Sequence, residues 1–220
     1  MVVGLAATSC GGGAQGASAV HVAVAGSNTG CAPASADIAA GKTTFDYTNG
    51  TDRFAGFYIL RSDGSIVKEV EDVARDASVA LVADLVAGDY DLMCPVGQQV
   101  ESAHTTVHVS GTGGKPEPTP DLSVTVTAKE YSFTEPVGLA LSKGQTVRFE
   151  LANDGTVSHE VELHGPDGVK IAKIPPTKPG STIHATVKLA TSGAYTLVCG
   201  LRTNGEKHET LGMLATITVA

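Results

Sequence analysis

The chain repeats one plan twice, and this repetition limits its fold more than any other feature. Each half contains short segments in which apolar and polar residues alternate, such as 20–25 and 122–127, bounded by Gly, Asp and Asn. Each half also carries a Gly-x-Tyr motif followed shortly by a cysteine, starting at Gly88 and Gly193. Alternation with a period of two predicts half-buried strands. We therefore predict an all-β protein with two tandem Greek-key β-sandwich domains.

A segment rich in Gly and Pro separates the two halves. Residues 111–120 have the composition of a semi-rigid linker. We place one domain at 18–110 and the other at 121–220, each about one hundred residues long, which is an ordinary domain size.

The charge balance excludes one class of partner. The chain has 15 Lys and Arg against 23 Asp and Glu, a net charge of −8, without a basic cluster. Proteins that bind nucleic acid neutralise phosphates with Lys and Arg, so we expect no nucleic-acid partner.

The first 17 residues stand apart from both domains. A short apolar run leads through small residues to Cys10, and a Gly-rich tract follows. This pattern resembles a truncated bacterial lipoprotein signal with a flexible tether. The resemblance implies that Cys10 is lipidated and that the protein is exported, membrane-anchored and facing the periplasm or the cell exterior. The alternative is a disordered N-terminus with an incidental cysteine.

The second half carries four residues that together suit one metal ion. His159 lies early in it, and Cys199, His208 and Met213 follow near the end, with eight and four residues in the two intervals. A thiolate, two imidazoles and a weak thioether are the donors of an electron-transfer copper site. The alternative is a core Cys and Met with two surface histidines.

These four residues resemble the ligands of the cupredoxin (plastocyanin/azurin-like) family, and the resemblance covers the whole second domain. It implies a cupredoxin-like fold, one type 1 (blue) copper ion in the second domain, and electron transfer. Carboxylates at Glu160 and Glu162 flank His159, but strand alternation places them on the opposite face from it. We expect His184, which alternates with apolar residues, to face solvent.

The first domain lacks this ligand set, since Ala55 stands where the second domain has His159. Its Cys31, its Val-Lys-Glu-Val-Glu stretch and its Gly-Asp-Tyr-Asp-Leu-Met-Cys segment resemble the cupredoxin domain of EfeO-type iron-uptake lipoproteins. The resemblance implies a degenerate cupredoxin domain in which four residues are candidate metal ligands: Cys31, Glu69, Glu71 and Cys94. The alternative is a Cys31–Cys94 disulfide, which by closing a long loop would stabilise the domain by about 4 kcal/mol.

Two functions follow from these residues. The first is an exported, lipid-anchored electron carrier that meets a redox partner. The second is a metal-binding accessory of copper or iron uptake that meets a metal-transport protein. We expect no enzymatic activity, because the residues on either side of Cys199 are Val198 and Gly200, so no adjacent His could lead to a second copper centre.

Overall fold

The computed structural model of the protein describes residues 20–97, 102–135 and 139–220. The predicted lipidation site Cys10 lies outside these residues. Within the part of the chain that is described, no helix has the length and apolar character needed to cross a membrane.

In the described part of the chain, nine strands precede the linker and form two sheets. They are β1 (Val20–Ser27), β2 (Gly30–Pro33), β3 (Asp37–Ala39), β4 (Gly41–Asn49), β5 (Ala55–Arg61), β6 (Ile66–Val73), β7 (Ser78–Leu85), β8 (Gly88–Met93) and β9 (His104–Ser110). One sheet has the order β2-β1-β4-β7 and the other has the order β3-β9-β8-β5-β6.

After the linker, residues 121–135 and 139–220 form ten strands and one 3-10 helix. They are β10 (Leu122–Lys129), β11 (Ser132–Thr134), β12 (Thr146–Asn153), β13 (His159–His164), β14 (Lys170–Thr177), β15 (Thr182–Lys188), β16 (Gly193–Val198), β17 (Arg202–Thr203), β18 (Glu206–Lys207), η1 (His208–Leu211) and β19 (Leu214–Val219). The two main sheets have the orders β11-β10-β12-β15 and β14-β13-β16-β19, and β17 pairs with β18 alone.

Each pair of sheets encloses its own core. Along β1, β10 and β12, buried residues alternate with more exposed ones, because successive side chains of a strand point to opposite faces. One buried cluster joins the two sheets before the linker, and a second joins the two main sheets after it. The predicted all-β fold with two tandem β-sandwiches is therefore confirmed.

The two sandwiches agree in detail as well as in strand order. Strand β1 pairs in parallel with β4, and β10 pairs in parallel with β12. At the end of β4, the Asn49 amide donates to two main-chain carbonyls, and Asn153 does the same at the end of β12. The hydroxyls of Tyr90 and Tyr195 each donate to the carbonyl four residues earlier. Such repeated local bonding is typical of a duplicated domain.

The two cysteines of the first sandwich form a disulfide. Cys31 on β2 and Cys94 after β8 have Cα atoms 5.4 Å apart and sulfurs in bonding contact. The predicted Cys31–Cys94 disulfide is therefore confirmed, and neither cysteine is available as a thiolate metal ligand.

The linker is fixed against the second sandwich by Glu117. Its carboxylate lies 3.1 Å from Nε2 of His184 on β15 and 3.4 Å from Arg148 on β12. His184 is 8% exposed, so the expectation that it faces solvent is wrong. The linker covers His184, and the alternation of apolar and polar residues along β15 alone could not predict this cover.

Candidate metal centre

Three different parts of the second sandwich carry the predicted ligands. His159 is the first residue of β13, and Cys199 directly follows β16. His208 opens the 3-10 helix η1, and Met213 lies between η1 and β19. Neighbouring strands β13 and β16 thus bring His159 and Cys199 to one end of a sheet.

These parts converge on one point. One ligand atom from each of His159, Cys199 and His208 lies within 4.8 Å of the others. Sγ of Cys199 is 3.4 Å from Nδ1 of His208, and the two imidazole rings have centroids 5.2 Å apart. All three side chains are buried. In the described residues, this is the group of His, Cys, Asp and Glu side chains whose spacing suits a metal ion.

The surroundings of His159 fit a bound metal. Both of its ring nitrogens are buried, and neither has a hydrogen-bond partner among the described residues. An unsatisfied buried polar atom costs about 1–3 kcal/mol, which coordination to a metal would offset. Burial, and to a lesser extent the neighbouring His208, lowers the pKa of His159 to about 4, so its imidazole is neutral and able to coordinate near neutral pH.

The thiol of Cys199 is held in an apolar place. Burial raises its pKa to about 12, so the thiol is protonated when no metal is bound. The backbone N–H of Glu160 donates to Sγ at 3.5 Å. Because metal ligands must be deprotonated, binding at this site releases the thiol proton.

His208 is oriented by contacts on both sides of its ring. Its Nε2 lies 2.8 Å from Oγ1 of Thr203, and the ring of Tyr131 packs edge-on at 4.9 Å between centroids. Burial lowers the pKa of His208. With Nδ1 facing Cys199, the proton belongs on Nε2, where it is donated to the threonine hydroxyl.

Met213 is fully buried beside these residues. Its main-chain N–H donates to the carbonyl of His208 at 2.9 Å, and its carbonyl accepts from the N–H of Cys199 at 3.3 Å. The backbone of Met213 is therefore fixed directly to two of the three converging residues.

The sequence reasoning missed Thr203. The long interval between Cys199 and His208 contains a two-residue hairpin turn at Asn204-Gly205, where both residues have positive φ, 53° and 86°. An Asn-Gly pair is the strongest short hairpin signal and could have placed β17 beside β18. The hairpin brings Thr203 back over the ring of His208.

Among the described residues, no acidic side chain of the first sandwich belongs to a group whose spacing suits a metal ion. Glu69 and Glu71 contact the ammonium groups of Lys170 and Lys173 from β14 of the second sandwich. The proposed role of Glu69 and Glu71 as metal ligands beside Cys31 and Cys94 is therefore wrong. Glu160 and Glu162 also face Lys173, away from the group that contains His159, as strand alternation predicted.

Comparisons with known proteins give matches of structure only. No protein-family model matches the chain, and no curated protein sequence matches it. It is similar to auracyanin B, with 20% identity, 48% of this chain and 93% of that chain covered, and a TM-score of 0.40. The reduced auracyanin of Roseiflexus castenholzii is 18% identical. The match covers 46% of this chain and 99% of that chain, with a TM-score of 0.39. A Cu-containing nitrite reductase from Thermus scotoductus SA-01 is 13% identical. The match covers 91% of this chain and 61% of that chain, with a TM-score of 0.33.

Proposed function

We propose that this protein binds one copper ion through His159, Cys199, His208 and Met213 and carries single electrons. The observation that carries the proposal is the buried convergence of two imidazoles and a thiol within 4.8 Å. Thiolate, imidazole and thioether ligands together favour copper over iron, calcium or magnesium. When bound, copper supplies one-electron redox chemistry.

The surrounding residues favour electron transfer over metal delivery. An ion-delivery site needs an open, exchangeable position, whereas His159, Cys199 and His208 are at most 1% exposed. The hairpin of β17 and β18 and the helix η1 surround the ligands with main-chain hydrogen bonds. A ligand set held in this way needs little rearrangement when the ion changes its charge. The partner would then be another redox protein, and metal delivery to a transport protein is the second candidate.

Export to an oxidising compartment is part of the proposal. The Cys31–Cys94 disulfide supports it, because disulfides persist in secreted and periplasmic proteins and are rare in the cytosol. We further propose attachment to the membrane through a lipid on Cys10. The proposed role is that of a carrier and not of an enzyme, since the sequence offers no His next to Cys199 to connect a second centre.

Adding Cu(II) to purified protein tests the function. We expect an intense blue or green thiolate-to-copper absorption band that ascorbate bleaches and air or ferricyanide restores. Cys199→Ser should lack the band because the thiolate is gone. His159→Asn should weaken copper binding, whereas His164→Asn, on the same strand but outside the group, should keep the band.

Other outcomes would assign another function. A colourless protein that still binds one ion tightly would contradict the electron carrier and support metal delivery. Tight ferric binding that survives Cys199→Ser would contradict the copper site and indicate iron uptake.

A further inference from the structure

The two sandwiches meet around one buried ammonium group. The Nζ atom of Lys173, on β14, lies 3.2 Å from the carboxylate of Glu160 and 3.7 Å from that of Glu162, both on β13. From the first sandwich, the Glu71 carboxylate approaches it to 2.5 Å and the Tyr58 hydroxyl to 3.4 Å. Only 5% of the Lys173 side chain is exposed. Groups of both sandwiches therefore hold the same cation in a place shielded from water.

The first sandwich contributes an ordered pair to this cluster. The Tyr58 hydroxyl donates to the same Glu71 oxygen that contacts Lys173. The other Glu71 oxygen accepts from Lys170. Burial alone would lower the pKa of Lys173, but the carboxylates of Glu160 and Glu71, together with Tyr58, raise it, so the ammonium stays charged. Glu71 is thus fixed by three donors and cannot turn away from Lys173.

Glu160 connects the cluster around Lys173 to the thiol of Cys199. Glu160 binds Lys173 with its side chain, and its backbone N–H donates to Sγ of Cys199. Its other carboxylate oxygen lies against the main chain after the thiol, 3.0 Å from the position that a Cβ on Gly200 would occupy. A cavity of about 270 Å³ lies at this junction, with Tyr58 and Glu71 on one wall and Glu160, Lys173 and Gly200 on the other.

This arrangement has two physical consequences for the thiol. A hydrogen bond to sulfur stabilises the thiolate, and its strength depends on where the Glu160 backbone is held. Charges in a water-poor region also act over longer distances than exposed charges, because screening is weak there. The position and charge of Lys173 therefore affect how easily a metal bound to Cys199 is reduced.

We propose that Lys173 is a positioning residue for the metal centre and that the first sandwich, through Glu71 and Tyr58, takes part in setting the reduction potential. This inference rests on the proposed copper site. In this proposal the first sandwich contributes to the metal centre. The Glu71 carboxylate holds the Lys173 ammonium, and Lys173 in turn holds Glu160 against Cys199.

Three variants test this with the copper-loaded full chain. Lys173→Met removes the cation and leaves Glu160 without its counter-ion, so nearby negative charge favours Cu(II) and the potential falls. Glu71→Gln keeps Lys173 but removes the carboxylate that holds it from the first sandwich, so the potential moves away from the wild-type value. We expect each to change the ratio of Cu(I) to Cu(II) affinity by about tenfold, which is about 59 mV for a one-electron couple. Lys188→Met is the matched control, because it also removes one positive charge from the second sandwich, at an exposed position at the end of β15.

A second readout needs no metal. In the metal-free protein, hydrogen exchange of the Glu160 amide should be faster in Lys173→Met than in wild type and in Lys188→Met. The Leu197 amide in the same sheet serves as the reference for general loosening.

The inference is overturned if Lys173→Met or Glu71→Gln shifts the potential no more than Lys188→Met does. Unchanged exchange at Glu160 also overturns it. Failure of wild type to form the charge-transfer band would instead overturn the copper proposal, and the exchange experiment would still report on the positioning of Glu160.

Discussion

At the scale of single residues, His159 and His208 show two ways of preparing an imidazole for a metal. His159 is buried, and neither of its ring nitrogens has a hydrogen-bond partner in the described part of the chain, so a metal would remove a desolvation cost. His208 has one nitrogen bonded to Thr203, which leaves Nδ1 facing Cys199. Partners of this kind fix the tautomer and the ring orientation of a ligand.

Replacing Thr203 tests that orientation. Thr203→Val keeps the shape but removes the hydroxyl that accepts from Nε2, so we expect copper affinity to fall by about 10–100-fold. Competition with a chelator of known affinity would measure the loss. Thr210→Val is the control, since the Thr210 hydroxyl donates to the Lys207 carbonyl and does not contact His208. Equal affinities of Thr203→Val and wild type would contradict the role of Thr203.

At the scale of elements, the segment between Cys199 and β19 acts as one unit. The hairpin of β17 and β18 lies between Cys199 and His208, and η1 begins at His208 and ends before Met213. The helix ends at Gly212, whose φ of 108° lies in the left-handed region, and Met213 follows at once. A residue with a Cβ is strained there, by about 1–2 kcal/mol.

Substituting this glycine separates general strain from ligand placement. Gly212→Ala and Gly180→Ala both place a Cβ at positive φ, the second in a turn where nothing lies within 4 Å of it. We expect both to lower the free energy of unfolding by about 1–2 kcal/mol. We expect the copper absorption spectrum to change in Gly212→Ala alone, because Met213 is displaced. Matching spectra in the two variants would show that Met213 does not contribute to the site.

At the scale of the whole molecule, charged and polar side chains of the described residues connect the sandwiches at two places. One is the cluster around Lys173, and the other joins His184 to Glu117 of the linker, with Asp63 of the first sandwich 3.9 Å away. Burial opposes the charged form of Glu71, yet Lys173 and the hydrogen bonds from Lys170, Lys173 and Tyr58 outweigh it and lower the pKa of Glu71 to about 2. Contact between the sandwiches is therefore sensitive to acid.

The sign of the pH effect follows from this lowered pKa. The ordinary pKa of Glu71 is 4.5, so its contribution to stability is complete above that value and is lost as the pH falls towards 2. Glu71→Gln should therefore be less stable than wild type at about pH 6, and the difference should shrink at about pH 3. Thermal unfolding would measure both, with the exposed Glu206→Gln as the control. A difference independent of pH would show that the Glu71 charge does not join the sandwiches.

The sequence by itself determined the strands, the duplication and the four candidate ligands. Period-two alternation reports which face of a strand is buried, and His159, Cys199, His208 and Met213 were identified from donor chemistry and order along the chain. Tertiary structure alone decided between a disulfide and a metal site at Cys31 and Cys94. It also decided that Glu69 and Glu71 bind lysines of the other sandwich and that the linker covers His184. The reason is physical. Alternation describes one strand and its own sheet, whereas these contacts join residues that lie far apart in the chain and meet only once the two sandwiches pack. Lys173 is one residue of an alternating strand in the sequence, and its proximity to Glu71 and Glu160 exists only in the folded molecule.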